Sequence, residues 1–436
     1  MAISCPPRHP LSDAISSELH ARPSPPLKPL QAITRVSLLT AERSVDADRD
    51  FIHRLSARLG EADPMLEANW HMIKQGDSLL RWERHSEMST FTFCWPLQDS
   101  ETRLARLLPP DWPEDLLADA PGMLLSGVHV EIRAGAASED PELARTFGAE
   151  AAIQSSADGR FIAVTDFQQR DDGFSRMIVF SDGVEPQALG RYVQKLLEID
   201  TYRTAALLAF PLATDLRSKL ASIELELAGV MFELVDGGQG TGDPQLLNQV
   251  AQLSARVEAL VAQTSYRFAA SRAYHRLVGE RLKALRGGGA PLAAEAAAQD
   301  FESFLSRRLE PAMRTCDAVE ARLQSLAERI SRATRLLGTR VEVKLGEQNA
   351  ELLASMNART RLQLRLQQTV EGLSVFAISY YAVGLVSYAA KAVEEAGAPV
   401  NPYIVTGLAA PVIIAALWLG LRRFHKRLVH AYGAQQ

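Results

Sequence analysis

The chain has 436 residues, of which 47% are apolar and 23% charged, and its formal net charge is −5. This composition is that of an ordinary globular protein and excludes disordered, collagen-like and disulfide-stapled chains. The charge is unevenly divided, because residues 1–200 hold 31 acids against 20 bases and residues 201–436 hold 21 acids against 27 bases. The division predicts an acidic soluble half and a basic half close to something anionic.

The cysteines and the first residues indicate a reducing compartment. Cys5, Cys94 and Cys316 share no metal-ligand spacing, and MAISCPPRHP lacks the basic and then apolar pattern of a cleaved signal peptide. We therefore expect a cytoplasmic N-terminal half with unpaired cysteines.

The first 185 residues predict a mixed fold of helices and strands. Residues 1–30 form a proline-rich arm, and residues 31–185 form an acidic cytoplasmic α/β domain. Within it, QAITRVSLLT predicts a strand and VDADRDFIHRLSARLG a helix. Further strands are expected at NWHMIKQGD, SLLRWERHS, STFTFCWPL and GMLLSGVHVEIRA, followed by a meander over residues 150–183.

Residues 186–368 predict a helical stalk. Apolar residues recur at three- and four-residue steps after a helix start at Asp243 and again from Leu323 to Leu366. The second series predicts one helix from about Ala312 to Ala392, roughly 120 Å long at 1.5 Å per residue. Such spacing is typical of coiled-coil packing, within the chain or between chains.

The helix predicted over residues 245–286 carries seven Lys/Arg against two Glu. One interpretation is an anionic partner such as lipid headgroups or nucleic acid. The favoured interpretation is a solvated coiled-coil face, because no series of stacking aromatics accompanies the charges. The sequence thus predicts no nucleic-acid partner.

Two uncharged runs of 19 residues, 372–390 and 403–421, lie close to the C-terminus. Each is close to the length of about 20 residues that crosses a bilayer, so we expect transmembrane helices over residues 369–391 and 403–421. Two buried core helices are the alternative. The fold class predicted is an α+β cytoplasmic domain, then long coiled-coil-like helices, then a C-terminal two-helix transmembrane hairpin.

The charges that flank the two runs predict their orientation. Arginines precede the first run, and the tail 422–436 is basic. The loop 392–402 carries two acids, Glu394 and Glu395, and only Lys391, directly before the loop, offsets them. The positive-inside rule then places both termini in the cytoplasm and the loop outside a bacterial inner membrane.

Motifs for catalysis are absent from the sequence. No phosphate loop, GxSxG, HExxH or CxxC occurs. The densest polar group is Trp82, Glu83, Arg84 and His85. In a strand, Glu83 and His85 share a face and could form an acid/base pair or a metal site, but a structural pair is the favoured interpretation. We expect that the protein is not an enzyme and has no cofactor, and the sequence leaves open whether it binds a metal.

The first uncharged run carries a polar stripe. Glu371, Ser374, Tyr381 and Tyr388 lie on one side of a helix. The stripe predicts a pore lining or a polar interface, because polar groups in membranes face a bundle interior or a water path. The alternative is that the tyrosines anchor at the membrane surface, the serine bonds its own i−4 carbonyl and the acid snorkels.

Four segments resemble a bacterial family known as membrane-anchored proteins of unknown function. They are HPLSDAISSELHARP, LLRWERHSEMSTFTF, KLLEIDTYRTAALLAFPLA and RTRLQLRLQQTVEGLSVFAISYYAVGLVSY. The resemblance spans nearly the whole chain and implies a membrane anchor without supplying a reaction. The segment His20-Ala21-Arg22-Pro23 is most simply a docking arm.

The order of parts resembles CorA-type divalent cation channels. That resemblance implies a homo-oligomer, a pentamer in that family, whose first span lines a pore for divalent cations. The Gly-Met-Asn signature of those channels is replaced here by YYAVGLVSY, so magnesium selectivity is not carried over. Two hypotheses follow: a homo-oligomeric ion channel or transporter in the lipid bilayer, or a membrane-anchored scaffold or regulator whose acidic domain binds a protein partner.

Overall fold

The computed structural model divides into two units, residues 1–334 and residues 335–436. The first unit holds an α+β sheet domain and long helices, and the second holds an apolar helix pair. The residues described are 9, 12, 24–40, 45–61, 69–97, 104, 106–137, 140, 142–148, 151–156, 158–183, 185–236, 243–285, 299–397, 399 and 401–432.

A mixed sheet of nine strands, in the order β2-β3-β4-β1-β5-β8-β7-β6-β9, forms the centre of the first unit. Most neighbouring strands are antiparallel, whereas β5 pairs with β8, and β6 with β9, in parallel. The strands are β1 (Gln31–Leu39), β2 (Trp70–Gln75), β3 (Ser78–Arg84), β4 (Met88–Pro96), β5 (Met123–Ala134), β6 (Ala152–Ser155), β7 (Phe161–Thr165), β8 (Phe174–Ser181) and β9 (Gln299–Asp300).

Seven helices are described. They are α1 (Val45–Leu59), α2 (Leu143–Phe147), α3 (Pro186–Leu207), α4 (Ala209–Asp236), α5 (Asp243–Leu285), α6 (Phe301–Glu395) and α7 (Pro402–Tyr432). The strands expected from the alternation of apolar residues, and the helix start at Asp243, are confirmed.

Both faces of the sheet are covered, which explains why its strands are rich in apolar residues at successive positions. On one face Ile33, Val130 and Met177 pack against helices α3, α5 and the start of α6. On the other face aromatic strand residues such as Trp82 and Phe93 pack against α1 and the turns around Trp112. Because side chains alternate along a strand, β1 and β4 contribute to both cores, through Ile33 and Cys94 on one face and Ala32 and Phe93 on the other.

Residues 24–30, the described end of the predicted arm, lie against the sheet and α3. The Leu27 side chain is buried, and its backbone N–H donates to the Pro186 carbonyl. A Cβ at Gly190 of α3 would overlap the carbonyl oxygen of Pro25, so α3 needs a glycine where the arm crosses it. The arm is therefore part of the folded domain in this stretch.

Helix α6 begins eleven residues before the start expected from the sequence, at Phe301 rather than Ala312. Pro311, the residue before the expected start, lies inside the helix. Proline removes one backbone hydrogen bond, and the burial of Phe301, Phe304 and Leu305 against the sheet domain favours the helix in spite of this loss.

In the second unit, α6 continues to Glu395, and Gly397, with φ +92°, follows its end. The described residues contain two helices that are long and apolar enough to cross a membrane, α6 and the Pro402–Gly420 part of α7. One side of α6 here carries the buried Ser379 and Ala390. Because α7 is the other helix of this unit, we infer that this side faces it.

Candidate functional site

Three neighbouring strands place charged and hydroxyl side chains on the helix-covered face of the sheet. Arg35 on β1, Thr92 on β4 and Arg81 on β3 are cross-strand neighbours. The Arg35 Nε donates to Thr92 Oγ1 at 3.0 Å. The Glu83 Oε2 lies 3.4 Å from Arg35 Nη2 and 3.0 Å from Arg81 Nη2, so one carboxylate serves two guanidiniums. The side chains of Arg35, Arg81 and Glu83 are at most 3% exposed.

Helices α3 and α5 complete this group. Gln194 Oε1 accepts hydrogen bonds from Arg35 at 3.2 Å and from Arg81 at 2.5 Å. Gln194 Nε2 donates to Glu198, which also pairs with Arg281 of α5. We call these residues the charged cluster: Arg35, Arg81, Glu83, Gln194, Glu198 and Arg281.

The charged cluster contains three guanidiniums and two carboxylates, and its electrostatics follow from burial. Burial lowers the pKa of Arg81, and Arg35 adds to the lowering while Glu83 opposes it. Burial acts to raise the pKa of Glu198, but the hydrogen bonds from Gln194 and Arg281 outweigh it, so this pKa lies below its usual value. The cluster thus favours an ionised Glu198.

Next to the charged cluster, a second set of polar contacts ties α3 to the sheet. Ser37 and Thr201 share a hydrogen bond of 3.0 Å, and Ser175 Oγ donates to the buried Asp200 at 3.2 Å. Arg203 pairs with Asp200 at 2.6 Å and lies over the Phe167 ring. The segment KLLEIDTYRTAALLAFPLA is therefore held to β1 and β8 through these contacts.

The opposite face of the sheet holds the histidine cluster, which comprises Thr34, His129, Glu131, Arg133 and Asp140. His129 Nδ1 lies 2.8 Å from Thr34 Oγ1, and its Nε2 lies 3.9 Å from Glu131 Oε1. Arg133 bonds both Glu131 at 2.8 Å and Asp140 at 2.6 Å. Burial lowers the pKa of His129, which favours the neutral ring, since the nearby Glu131 carboxylate raises this pKa less.

Both clusters are suited to holding the fold together. A catalytic group must reach substrate, yet Glu83, His129 and Glu131 are each at most 2% exposed. The described residues contain no group of three or more His, Cys, Asp or Glu side chains that could hold a metal. Buried networks of this kind order a unique packing when every member has a partner.

The four residues singled out in the sequence are divided among different environments. Trp82 lies in the apolar core of the other sheet face, whereas Glu83 belongs to the charged cluster. Arg84 pairs with Asp48 of α1 at 3.0 Å. His85 follows the last residue of β3, and its backbone N–H donates to Met88. The acid/base pair of Glu83 and His85 therefore stays a prediction that rests on strand alternation.

The basic excess of α5 is largely paired within the chain. Arg256 pairs with Glu226, Arg267 with Glu87, Arg272 with Glu320 and Arg281 with Glu198. These acids come from α4, α6, α3 and the sheet domain. The structure thus gives these four arginines partners within the chain.

The polar stripe lies on the side of α6 away from the buried Ser379. Tyr381 and Tyr388 are 74% and 76% exposed. The Ser374 hydroxyl donates to the Val370 carbonyl at 2.8 Å, the i−4 bond considered above. Glu371 is half-buried and accepts from Gln367 at 3.4 Å. Glu394 and Glu395, expected in a loop, are exposed in the last turn of α6.

Sequence reasoning missed most of the charged cluster. Arg35, Glu198 and Arg281 lie far apart along the chain, and a single sequence does not show which of them meet. The usable signal was the alternation of Leu79, Arg81 and Glu83, which places two charges on the face of an apolar residue. The segment His20-Ala21-Arg22-Pro23 lies outside the described residues.

Comparison with known proteins gives one match. The profile of a family described as "Protein of unknown function (DUF3422)" matches residues 7–428. No curated protein and no solved structure matches the chain.

Proposed function

The chain belongs to this family of proteins of unknown function, and from its own structure we propose that it is a two-pass membrane protein that assembles as a homo-oligomer and conducts ions. The observation that carries the proposal is the exposure of α6 and α7. Only 11% of the residues in the most apolar window of α6, and none in that of Pro402–Gly420, are buried.

Exposure on this scale argues against a core role for the two helices. A core helix of a soluble protein buries its apolar side chains, whereas Leu373, Phe376 and Leu385 are 71–75% exposed. Hydrocarbon is the medium in which such a surface is stable, and both helices satisfy their own backbone groups. Arginines on the cytoplasmic side of the pair favour a hairpin with both termini inside the cell.

The orientation is testable with single cysteines in a variant lacking Cys5, Cys94 and Cys316. A cysteine at Gly397 should react in intact cells with a thiol reagent that does not cross membranes. A cysteine at Gly346, exposed in α6, should react only after lysis. The reverse pattern would contradict the orientation, and reaction of both sites in intact cells would contradict the hairpin.

An exposed apolar seam on α6 supports self-association. Leu345, Leu352 and Leu366 lie seven and fourteen residues apart, with a charged residue at the intervening position 359, and are 54–71% exposed. Met356 and Val370 lie four residues after two of them. Seven-residue apolar spacing is the pattern that pairs helices in coiled coils. A second copy of the same helix presents the matching seam, which favours a symmetric assembly around one axis.

We expect the purified protein in detergent to be a multimer of its 47.8 kDa chain. Replacing Leu352 and Leu366 together by lysine should convert it to smaller species, because charges in the seam oppose burial. Ala354→Lys, on the other side of the same helix, is the control and should leave the mass unchanged. A wild-type monomer by sedimentation would refute the assembly.

Ion conduction is supported by the direction of the polar stripe. Ser374, Tyr381 and Tyr388 lie on the side of α6 that α7 leaves open, so a neighbouring copy can meet them. Two helices cannot enclose water, and several copies are needed to surround a path. The phenol groups and Glu371 are then the polar groups nearest such an axis.

The flux of monovalent and divalent cations into liposomes tests this activity. Tyr381→Phe removes one hydroxyl from the stripe and should change the flux at least about tenfold, the effect of about 1.4 kcal/mol on a barrier. Tyr380→Phe is the matched control, since Tyr380 is 73% exposed but lies a third of a turn away. An intact wild-type oligomer without flux for any tested cation would exclude conduction.

A membrane-anchored scaffold is the second candidate, and one observation favours it. Helix α4 of the first unit exposes Leu225, Phe232 and Val235 by 67–77%, although these side chains are large and apolar. Exposed apolar patches of this kind mark sites of protein contact. A photo-crosslinker in place of Phe232 should then give an adduct whose mass is not a multiple of 47.8 kDa. Adducts at multiples of that mass would assign the patch to self-association.

A further inference from the structure

A cleft lies between the last turns of α5 and the first turns of α6, within the first unit. It has a volume of about 440 Å³, which is within the range of sites that hold small molecules. Its lining comes from residues 275–283 of α5 and residues 302–310 of α6. It shares no residue with the charged cluster, the histidine cluster or the polar stripe, so no role considered above accounts for it.

The floor of the cleft is apolar. It is formed by four core residues that are at most 7% exposed: Val278, Leu282, Leu305 and Leu309. Beside this floor Gly279 leaves space empty, because a Cβ at this position would meet nothing within 4 Å. Glycine weakens a helix interior, and no close neighbour requires one here. An occupant can therefore place an apolar group against the floor beside Gly279.

The α5 wall of the cleft carries the bases that the rest of the chain leaves unpaired on this helix. Four of the six lysine and arginine residues in the described part of α5 pair with acids of other elements. The other two, Arg276 and Lys283, both line the cleft, and neither has an ion-pair partner among the described residues. The unpaired positive charge of α5 is therefore concentrated at this cleft.

The facing wall of α6 carries acids. Glu302 and Glu310 line the cleft from this side, and Glu280 adds a carboxylate from α5. Glu310 lies 3.7 Å from Arg314, one turn along its own helix. Both signs of charge are thus present in the cleft, which argues against an occupant that carries only one of them.

The opposite charges of the two walls stay apart. Further along the same two helices Arg272 forms an ion pair with Glu320, so charges that face each other across this helix pair can meet. Among the described residues that line the cleft, the bases of α5 form no ion pair with the acids of α6. An occupant with a carboxylate and an ammonium group finds an opposite charge for each of them between the walls.

We propose that the cleft between α5 and α6 binds a short apolar peptide with free termini. Its carboxylate meets Arg276 and Lys283, its ammonium group meets Glu302 and Glu310, and an apolar side chain covers the floor. The half-buried His275 and Ser306 also line the cleft and offer hydrogen-bonding groups to the peptide amides. This inference does not depend on membrane insertion or ion conduction.

The length of the cleft favours a peptide over a free amino acid. Arg276 and Lys283 lie seven residues apart, about 10 Å along the axis of α5. An extended chain spans about 3.3–3.6 Å per residue, so about three residues cover this distance. The two charges of a free amino acid are attached to one carbon atom, and they cannot reach both ends of the cleft.

The test uses the full chain in detergent and the tripeptide alanyl-leucyl-alanine as the probe. Equilibrium dialysis measures bound peptide, with detergent alone as the reference, and we expect saturable binding. Acetylating the amino end or amidating the carboxyl end should each weaken binding at least about tenfold, the effect of losing one charge-assisted hydrogen bond. Free leucine should also bind at least about tenfold more weakly, because it does not span the cleft.

Two double variants test which wall holds which end of the peptide. Arg276→Gln with Lys283→Gln should weaken binding and should make the free and the amidated peptide bind equally, while acetylation still weakens binding. Glu302→Gln with Glu310→Gln should do the reverse. A loss that is the same for the free and the amidated peptide in the first variant would show that these bases do not contact the carboxylate, and would overturn the proposal.

A matched pair of glycine variants tests the location. Gly279→Leu should fill the cleft and abolish binding, whereas Gly229→Leu on α4 should leave it unchanged. Both replace a helix glycine whose Cβ would meet nothing within 4 Å. Equal effects of the two variants would overturn the cleft as the site. Wild-type protein that shows no saturable binding, or that binds the free and the doubly blocked tripeptide equally, would overturn the peptide ligand itself.

Discussion

At the scale of single residues, the sheet domain depends on charges that are buried and shared. Glu83 is the only carboxylate within ion-pair distance of Arg35 in the described part of the chain, and it also serves Arg81. In a buried ion pair, the attraction between the two charges roughly offsets the free energy lost when they leave water. Removing one partner leaves the other charge buried without compensation. The cluster therefore gives the fold little net free energy and strongly penalises its own disruption.

Glu83→Gln tests this dependence. It removes the carboxylate that pairs with both buried guanidiniums and should lower the free energy of unfolding by about 3–5 kcal/mol. Denaturant unfolding of the detergent-solubilised chain, followed by tryptophan fluorescence, measures the change because Trp82 and Trp95 lie in the sheet. Glu226→Gln breaks an exposed pair and should cost at most about 1 kcal/mol. Equal losses in the two variants would contradict the role of burial.

The lowered pKa of Glu198 predicts the sign of an acid effect. Because the folded state favours the ionised form, Glu198 stabilises the fold above the usual glutamate pKa of about 4.3, and this contribution disappears as the pH falls below it. Glu198→Gln should be less stable than the wild type at neutral pH, and the difference should shrink between about pH 5 and pH 3. If the difference in stability between the two proteins stays constant over this range, the charge of the Glu198 carboxylate is not what stabilises the fold.

At the scale of elements, the contacts between segments decide which residues a helix can accommodate. The described part of the arm, residues 24–30, is held to α3 through Leu27 and through the absence of a side chain at Gly190. Helix α6 accepts Pro311 because the residues before it are buried against the sheet. Neither result follows from the local propensities of these segments.

Two glycines in helices should respond in opposite ways to alanine. In Gly190→Ala the new Cβ meets the backbone of Pro25 and should lower the unfolding free energy by about 1–3 kcal/mol through overpacking. In Gly229→Ala of α4 the Cβ meets nothing within 4 Å, so better helix propensity should stabilise by up to about 1 kcal/mol. Thermal unfolding by circular dichroism measures both changes. A neutral Gly190→Ala would show that the arm does not pack against α3.

At the scale of the whole molecule, the two units differ in what covers their apolar residues. Residues 1–334 bury theirs in cores on both faces of the sheet and between long helices. Residues 335–436 leave most of theirs exposed. A single chain with both kinds of surface is stable where water and lipid meet, which is the physical basis of the membrane proposal.

We expect the full chain to remain in the membrane pellet after an alkaline carbonate wash, which removes peripheral proteins. A paired variant with Leu373→Asp and Leu419→Asp places one acid in each apolar helix and should shift part of the protein to the soluble fraction, since each acid costs about 2.5–3.5 kcal/mol in a bilayer. Leu225→Asp in the first unit is the control and should stay in the pellet. Release of the wild-type chain by carbonate would contradict spanning helices.

The sequence by itself determined most of the strands, the long helices and the two apolar runs, because alternation in strands, three- and four-residue spacing in helices and runs without charge are local properties. It also placed Glu83 in a strand, with a structural role as the favoured interpretation. Only the tertiary structure decided that β1 lies between β4 and β5, and that Arg35, Glu83, Glu198 and Arg281 meet. These contacts join residues that are distant along the chain, and their partners are selected by sheet order and helix packing, which no local pattern encodes.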